Sequence, residues 1–485
     1  MGSKRALLPA VGAALIGILV LGYGLSARPP EVRSSAQAFF NFDRPGINDH
    51  NSPAVAADPA RPRTVAVVDR IDSPLFSCSV SLSRDQGENW APVAVPLPAG
   101  APNCFWPDVG FDADGRLLVL YTATGGPNNL PVGVWLQRFD ASTPDGPAVK
   151  VAGSEAFQAH MAVDGANVLV AYVQATPDNV DKGVGFTAGP NPITAVRSSD
   201  GGRTFATPVM VSEPSRRLVA PNVVLGPGGK AVIAALDLTD DTPDYEATNG
   251  GQGGPAGTGR WGIVSYRSGD GGATFAGAAT VAGNLVIPQR IIVNLAPVPG
   301  LARDPRRGRL YASWDSGQGD RRDVFVASSD DDGATWSPPV PVVVRAGTQT
   351  LPAVDVAPDG RVDVVFYDRS KDPEDRKTEV AVASSWNEGR SFSTGTVSGR
   401  DFNAQMGYGS SQGIAVLSSQ LAVLSEPGRA LAFWADTRRT NPDDQAVELA
   451  ESVVRTRHSA GRRWVVAGAG LALLAGGAVT ALRRR

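Results

Sequence analysis

Apolar residues in this chain come in short runs broken by Gly, Pro and Asp, and the runs come in pairs. Residues 53–69 read as a strand, a turn at Asp58-Pro59 and a second strand. The pattern returns at 107–122, 159–174, 221–237, 297–315, 352–368 and 413–436, each time with a turn rich in Asp, Gly or Pro at its centre. Runs this short, bounded by turn residues, predict β-strands rather than helices. Each pair opens a unit of about 50 to 75 residues, a period that predicts four-stranded units repeated along one body.

An octapeptide recurs in the second half of most units. Ser83 to Trp90 (SRDQGENW) is repeated as Ser198 to Phe205, Ser268 to Phe275 and Ser329 to Trp336, and with Asn for Asp as Ser385 to Phe392. The chemistry is that of a tight turn: Ser and the acid Asp85, Asp200, Asp270 or Asp331 (Asn387 in the last copy) bond nearby amides, and Gly accepts a backbone angle that other residues resist. These octapeptides resemble the Asp-box, or BNR, repeat of the sialidase superfamily. The resemblance implies an all-β propeller of four-stranded blades, the boxes joining each blade's outer strands on the face away from the active site. That family's propeller has six blades; the seven units here favour seven, with six as the alternative, and seven-bladed Asp-box propellers include xyloglucanase-type glycosidases and assembly factors that only bind. The last unit has one strand too few, and residues 38–42 are expected to complete it, closing the ring.

Of the 485 residues 42% are hydrophobic. That suffices for a large core, and repeated blades can form it as one body. Net charge of −3 without a long central basic run argues against nucleic acid. The expected layout is a signal peptide or signal anchor in 1–27, the propeller in 36–456, and a C-terminal transmembrane anchor in 464–482. Lys4 and Arg5 precede the first apolar run and Arg483 to Arg485 close the last one, the flanks that such segments carry. Export would put the propeller on the extracytoplasmic side of the cell membrane. Cys78 and Cys104 would then lie in an oxidising compartment and on one face, where a disulfide is the expected state.

Candidate chemistry gathers on the face formed by the loops between second and third strands. Five second strands end there in Asp69, Asp237, Asp315, Asp368 and Asp436, with Arg70, Arg369 and Arg438 close behind three of them. One reading is a ring binding a polar ligand or a cation; the other is that each Asp pairs with a neighbouring Arg. His50 and His160 precede first strands on that face, but no ligand spacing links them. For a sialidase-type enzyme the resemblance implies three arginines holding a carboxylate, an acid/base Asp, and a Tyr nucleophile activated by Glu. The positions that match in kind are Arg44, Asp49, Tyr408 and Arg290, with Arg217 and Arg345 as further arginines in connections between blades; Phe42-Asp43-Arg44-Pro45 departs from the family's motif in spacing. The expected function is binding of glycan or an extracytoplasmic protein. The alternatives are an exo-α-sialidase-type glycoside hydrolase and a metal-binding assembly factor; no cofactor is expected, and a structural cation is allowed.

Overall fold

The computed structural model describes residues 32–39, 50–71, 76–126, 130–175, 190–240, 260–286, 297–318, 321–374, 376–403, 417–438 and 448–456. The expected signal segment 1–27 and anchor 464–482 lie outside them. Among the described residues no helix is long and apolar enough to cross a membrane.

The chain folds as an all-β propeller of four-stranded blades within the compact body Arg33–Arg455. In the first sheet His50–Ala57, Val65–Ile71, Ser77–Ser83 and Ala91–Pro92 pair in sequence order, every pair antiparallel. Further sheets follow over 103–152, 156–210, 218–285, 300–341 and 349–403. A seventh is made from Ala422–Glu426, Arg429–Asp436 and Glu448–Thr456, with Val32–Phe39 from the start of the chain as its fourth strand. The ends of the domain therefore meet in one sheet, as the strand count had implied, although the contributed strand begins earlier than expected. First strands of consecutive sheets touch, and 422–426 touches 50–57, so no sheet in the series lacks a neighbour.

Second strands are the most apolar because both their faces are covered. Val65 to Val68 and Leu117 to Tyr121 are at most 1% exposed, as expected of a strand between two packed sheets. The face bearing the turns between first and second strands is called lower here, and the opposite face upper.

The five octapeptides form one lower-face turn, repeated. In the first, the Gly87 amide donates to Ser83 Oγ at 2.8 Å and the Asn89 amide to Asp85 Oδ1 at 2.9 Å. The other four place Gly202, Gly272, Gly333 and Gly389 on Ser198, Ser268, Ser329 and Ser385, each at 2.9 Å. The glycine has φ near +80°, and each turn seats against the preceding sheet: a Cβ on Gly202 would meet Leu136 Cδ2 at 2.1 Å. The closing aromatic does the same, Trp336 Nε1 donating to Ser265 Oγ at 2.9 Å and Trp90 meeting Phe433 edge-on at 6.1 Å. Bonds from Asn89 hold Asp85 down at about 2, and bonds from Thr335 do the same for Asp331, because each such bond favours the charged carboxylate.

Upper-face regularity is of another kind. Five first strands break register near their upper ends, leaving Ser52, Trp106, Gln158, Ala220 and Leu351 at φ of 50–54°. Bulges with a non-glycine residue in this region are costly unless the surroundings hold them. Here a side chain from the preceding sheet or connection takes the exposed amide in three cases: Ser418 Oγ for Ser52 (2.9 Å), Gln158 Oε1 for Ala220 (2.7 Å) and Asp315 Oδ2 for Leu351 (2.8 Å).

Candidate functional site

All five strand-ending aspartates lie at upper ends of second strands, and each is engaged by the protein. Asp69 is 1% exposed with Oδ2 2.5 Å from His50 Nδ1. Asp237 takes Arg216 Nη1 at 2.5 Å, Asp315 takes Arg322 Nε at 2.6 Å, and Asp368 takes Arg345 Nη1 at 2.8 Å. Asp436 is fully buried and accepts from Trp434 Nε1 at 2.9 Å and Arg438 Nε at 2.7 Å. Only this last pair joins the Asp to the Arg that follows it in sequence. Arg70 instead lies buried over the rings of Phe105 (4.7 Å) and Trp106 (5.6 Å), while Arg369 is half-buried with its amide donating to Thr348 O. Carboxylates so enclosed have their lone pairs committed and hold strand ends together.

The imidazoles are likewise separate. His160 Nε2 accepts from Trp106 Nε1 at 3.0 Å, and Nδ1 faces Asp108 Oδ2 at 3.3 Å. With one nitrogen accepting and the other facing a carboxylate, the ring bridges the second and third sheets as its Nδ1–H tautomer. No group of three metal-ligating side chains occurs among the described residues. Arg44, Asp49, Tyr408 and Arg290 all lie outside the described residues. Cys78 and Cys104 are bonded, with Cα atoms 5.5 Å apart, tying the third strand of the first sheet to the first strand of the second across the upper face.

An open groove of about 590 Å³ lies on the upper face between the fourth and fifth sheets. Its walls come from Arg260, just before Trp261–Ser268, from Asn284 at the end of Ala279–Leu285, and from Ser316, Arg321, Asp323 and Phe325 around the tip of the hairpin Leu310–Gln318 and Arg321–Ser329. The hairpin is held tightly. A Cβ on Gly317 would sit 1.8 Å from Arg321 O, so only glycine fits beside the partner strand. Arg322, bonded to Asp315, also donates to Val286 O at 3.1 Å, and Ser316 Oγ accepts from the Val286 amide at 3.3 Å, clamping the two sheets at the groove floor. Phe325 stacks on Trp314 at 6.2 Å and 25°. Adjoining it at Val286 is an apolar recess lined by Trp261, Trp314, Leu236, Leu285 and Pro299, with Asp315 and Arg322 also in its wall.

The groove thus offers an aromatic side chain, an amide, a hydroxyl and two guanidinium groups against one carboxylate. Arg321 is half exposed, 3.7 Å from Asp323. None of these residues stood out in sequence, because the groove joins the third and fourth strands of one sheet to a hairpin of the next. The one available signal was Arg321-Arg322-Asp323 at a hairpin tip, where charges cluster beside Gly317.

No family model and no curated protein matches this chain. Among solved structures it resembles an ulvan lyase, a polysaccharide lyase, with a TM-score of 0.50 at 12% identity, covering 88% of this chain and 99% of that one. The same figures hold for that lyase bound to -[GlcA(1-4)Rha3S]-. An α-L-arabinanase from Penicillium chrysogenum scores 0.42 at 12% identity over 75% of this chain and 97% of its own. At such identity the lyase likeness speaks for the propeller fold alone.

Proposed function

We propose that this chain is an extracytoplasmic propeller, tethered to the cell membrane by its terminal segments, that binds glycan in the rim groove between its fourth and fifth sheets. The seven sheets are read as seven blades, five of which carry Asp-box turns. The groove carries the functional reading: lined by Phe325, Asn284, Ser316 and two arginines, it has the volume of a small-ligand site and mixes an aromatic face with planar polar side chains on the loop-bearing face. The strand-end aspartates are set aside as ligand-binding groups because protein donors already occupy them. The Cys78–Cys104 disulfide supports the oxidising side of a membrane. The binding of -[GlcA(1-4)Rha3S]- by the ulvan lyase is in keeping with a sugar ligand.

The test is a glycan array probed with the full-length protein and with Arg260→Ala. A defined glycan bound by the wild type, with binding weakened in the variant, supports the reading; undiminished binding in Arg260→Ala removes the groove from it. The hydrolase alternative is tested on the same preparation with a fluorogenic sialoside, beside Tyr408→Phe and Arg44→Ala. Turnover abolished by both substitutions would replace binding with catalysis.

A further inference from the structure

The recess beside the groove differs from it in kind. The groove is walled largely by polar and charged side chains, the recess by Trp261, Trp314 and Leu285, each at most 7% exposed, and by three prolines. Indole and proline rings have little freedom to collapse inward, so the space persists. Its volume is about 30 Å³. That holds a group of about the size of a methyl and is far too little for a sugar ring. Groove and recess share Val286 as a wall, and Phe325 of the groove stacks on Trp314 of the recess at 6.2 Å, so one aromatic pair serves both.

The polar groups at this junction are already engaged. The Val286 amide donates to Ser316 Oγ at 3.3 Å and its carbonyl accepts from Arg322 Nη1 at 3.1 Å. Arg322 spends its other two nitrogens on Asp315, Nε on Oδ1 at 2.6 Å and Nη2 on the carbonyl at 3.1 Å. Asp315 Oδ2 in turn accepts from the Leu351 amide at 2.8 Å. A hydroxyl entering the recess would give up its water without recovering those bonds, whereas a methyl gives up nothing. An acetyl methyl would carry a carbonyl oxygen to the Val286 junction, where the amide and the guanidinium have their acceptors. A methyl borne directly on a sugar ring brings no such oxygen.

We infer that the recess is a specificity subsite for the ring methyl of a 6-deoxyhexose whose ring lies in the groove. The inference rests on the groove as the glycan site and names the class of sugar it selects. Phe325 offers the ring an aromatic face, Asn284, Ser316 and Arg321 offer its hydroxyls polar partners, and the methyl passes Val286 into the recess.

The test is calorimetric titration of the full-length protein with the methyl glycosides of L-fucose and L-galactose, and of L-rhamnose and L-mannose. Within each pair the sugars differ only in a hydroxyl on the sixth carbon. The subsite predicts that the wild type prefers the 6-deoxy sugar by about tenfold or more in at least one pair, and the pair that responds identifies the sugar. Val286→Leu, which adds a methylene at the shared wall, is expected to remove that preference while the protein still melts cooperatively. Val286→Ile fills the same space and stands in if the leucine variant does not accumulate. Equal affinities within both pairs, each weakened by Arg260→Ala, overturn the subsite and leave the groove standing. A preference that survives in Val286→Leu or Val286→Ile overturns it as well. So does a wild type that binds none of the four sugars, and the array result with Arg260→Ala then decides the groove by itself.

Discussion

The two faces of the propeller solve the same problem differently. On the lower face, five turns use one bond, from the Gly amide to the Ser hydroxyl, with little variation in distance. On the upper face five aspartates occupy equivalent strand ends, yet their partners are His50, Arg216, Arg322, Arg345 and Arg438, drawn from different elements each time. Uniform chemistry at repeated positions is what a scaffold needs, because every blade must dock on its neighbour in the same way. Varied chemistry at repeated positions leaves each gap between blades free to differ, and one of those gaps opens into the groove.

The comparison breaks most sharply at the lower end of the sixth sheet. Arg361 and Asp363 are essentially inaccessible, paired at 2.8 Å, and Arg361 Nη2 also donates to Glu426 O at 3.0 Å on the seventh sheet. Arg361→Ala leaves Asp363 buried without its cation and is expected to cost about 3–5 kcal/mol in urea unfolding. On the upper face, replacing both Cys78 and Cys104 by Ser is expected to cost about 2–4 kcal/mol, read in the same experiment without reductant. A single octapeptide glycine should matter less. Gly202 has φ of +77° and its added Cβ would meet the buried Leu136, whereas Gly146, at φ of +81°, faces open space. Gly202→Ala should therefore lose about 1–3 kcal/mol, and Gly146→Ala less than that.

How far the sequence carried this picture follows the same division. The lower face was legible because its turns depend on local side-chain-to-amide bonds within eight residues, which leave a fixed spacing in the chain. The pairing of strand-end acids was legible only for Asp436 with Arg438, two residues apart; Asp315 with Arg322 crosses a hairpin, and Asp69 with His50 spans two strands. The bulges at Ser52, Trp106, Ala220 and Leu351 left a trace in the proline that follows each, but nothing in the chain announces an amide captured from the preceding sheet. Of the groove only the charge cluster Arg321-Arg322-Asp323 left a mark in the chain, because its walls meet only once the sheets are stacked.

A smaller effect, of opposite sign, comes from Asp355 on the first strand of the sixth sheet. Part of its residue surface remains accessible, but its carboxyl sits where the sixth and seventh sheets pack, accepting from the Ser425 amide at 2.6 Å, and burial pushes it up to about 6. A carboxyl raised in the folded state binds a proton more tightly there than in the unfolded chain. Its ionisation therefore destabilises the fold as pH rises through about 6. Asp355→Asn is expected to raise stability at pH 8 by about 1–2 kcal/mol. The gain should shrink toward pH 5, as read by Tm across that range.

The division of labour between the faces is tested most directly by titrating the glycan selected on the array into the full-length protein carrying either Arg321→Ala at the groove or Arg84→Ala on a lower-face turn. Both are exposed arginines, so neither change should unfold the protein. The account predicts binding weakened about tenfold or more by Arg321→Ala and unchanged by Arg84→Ala. Equal affinities in the two variants would contradict it.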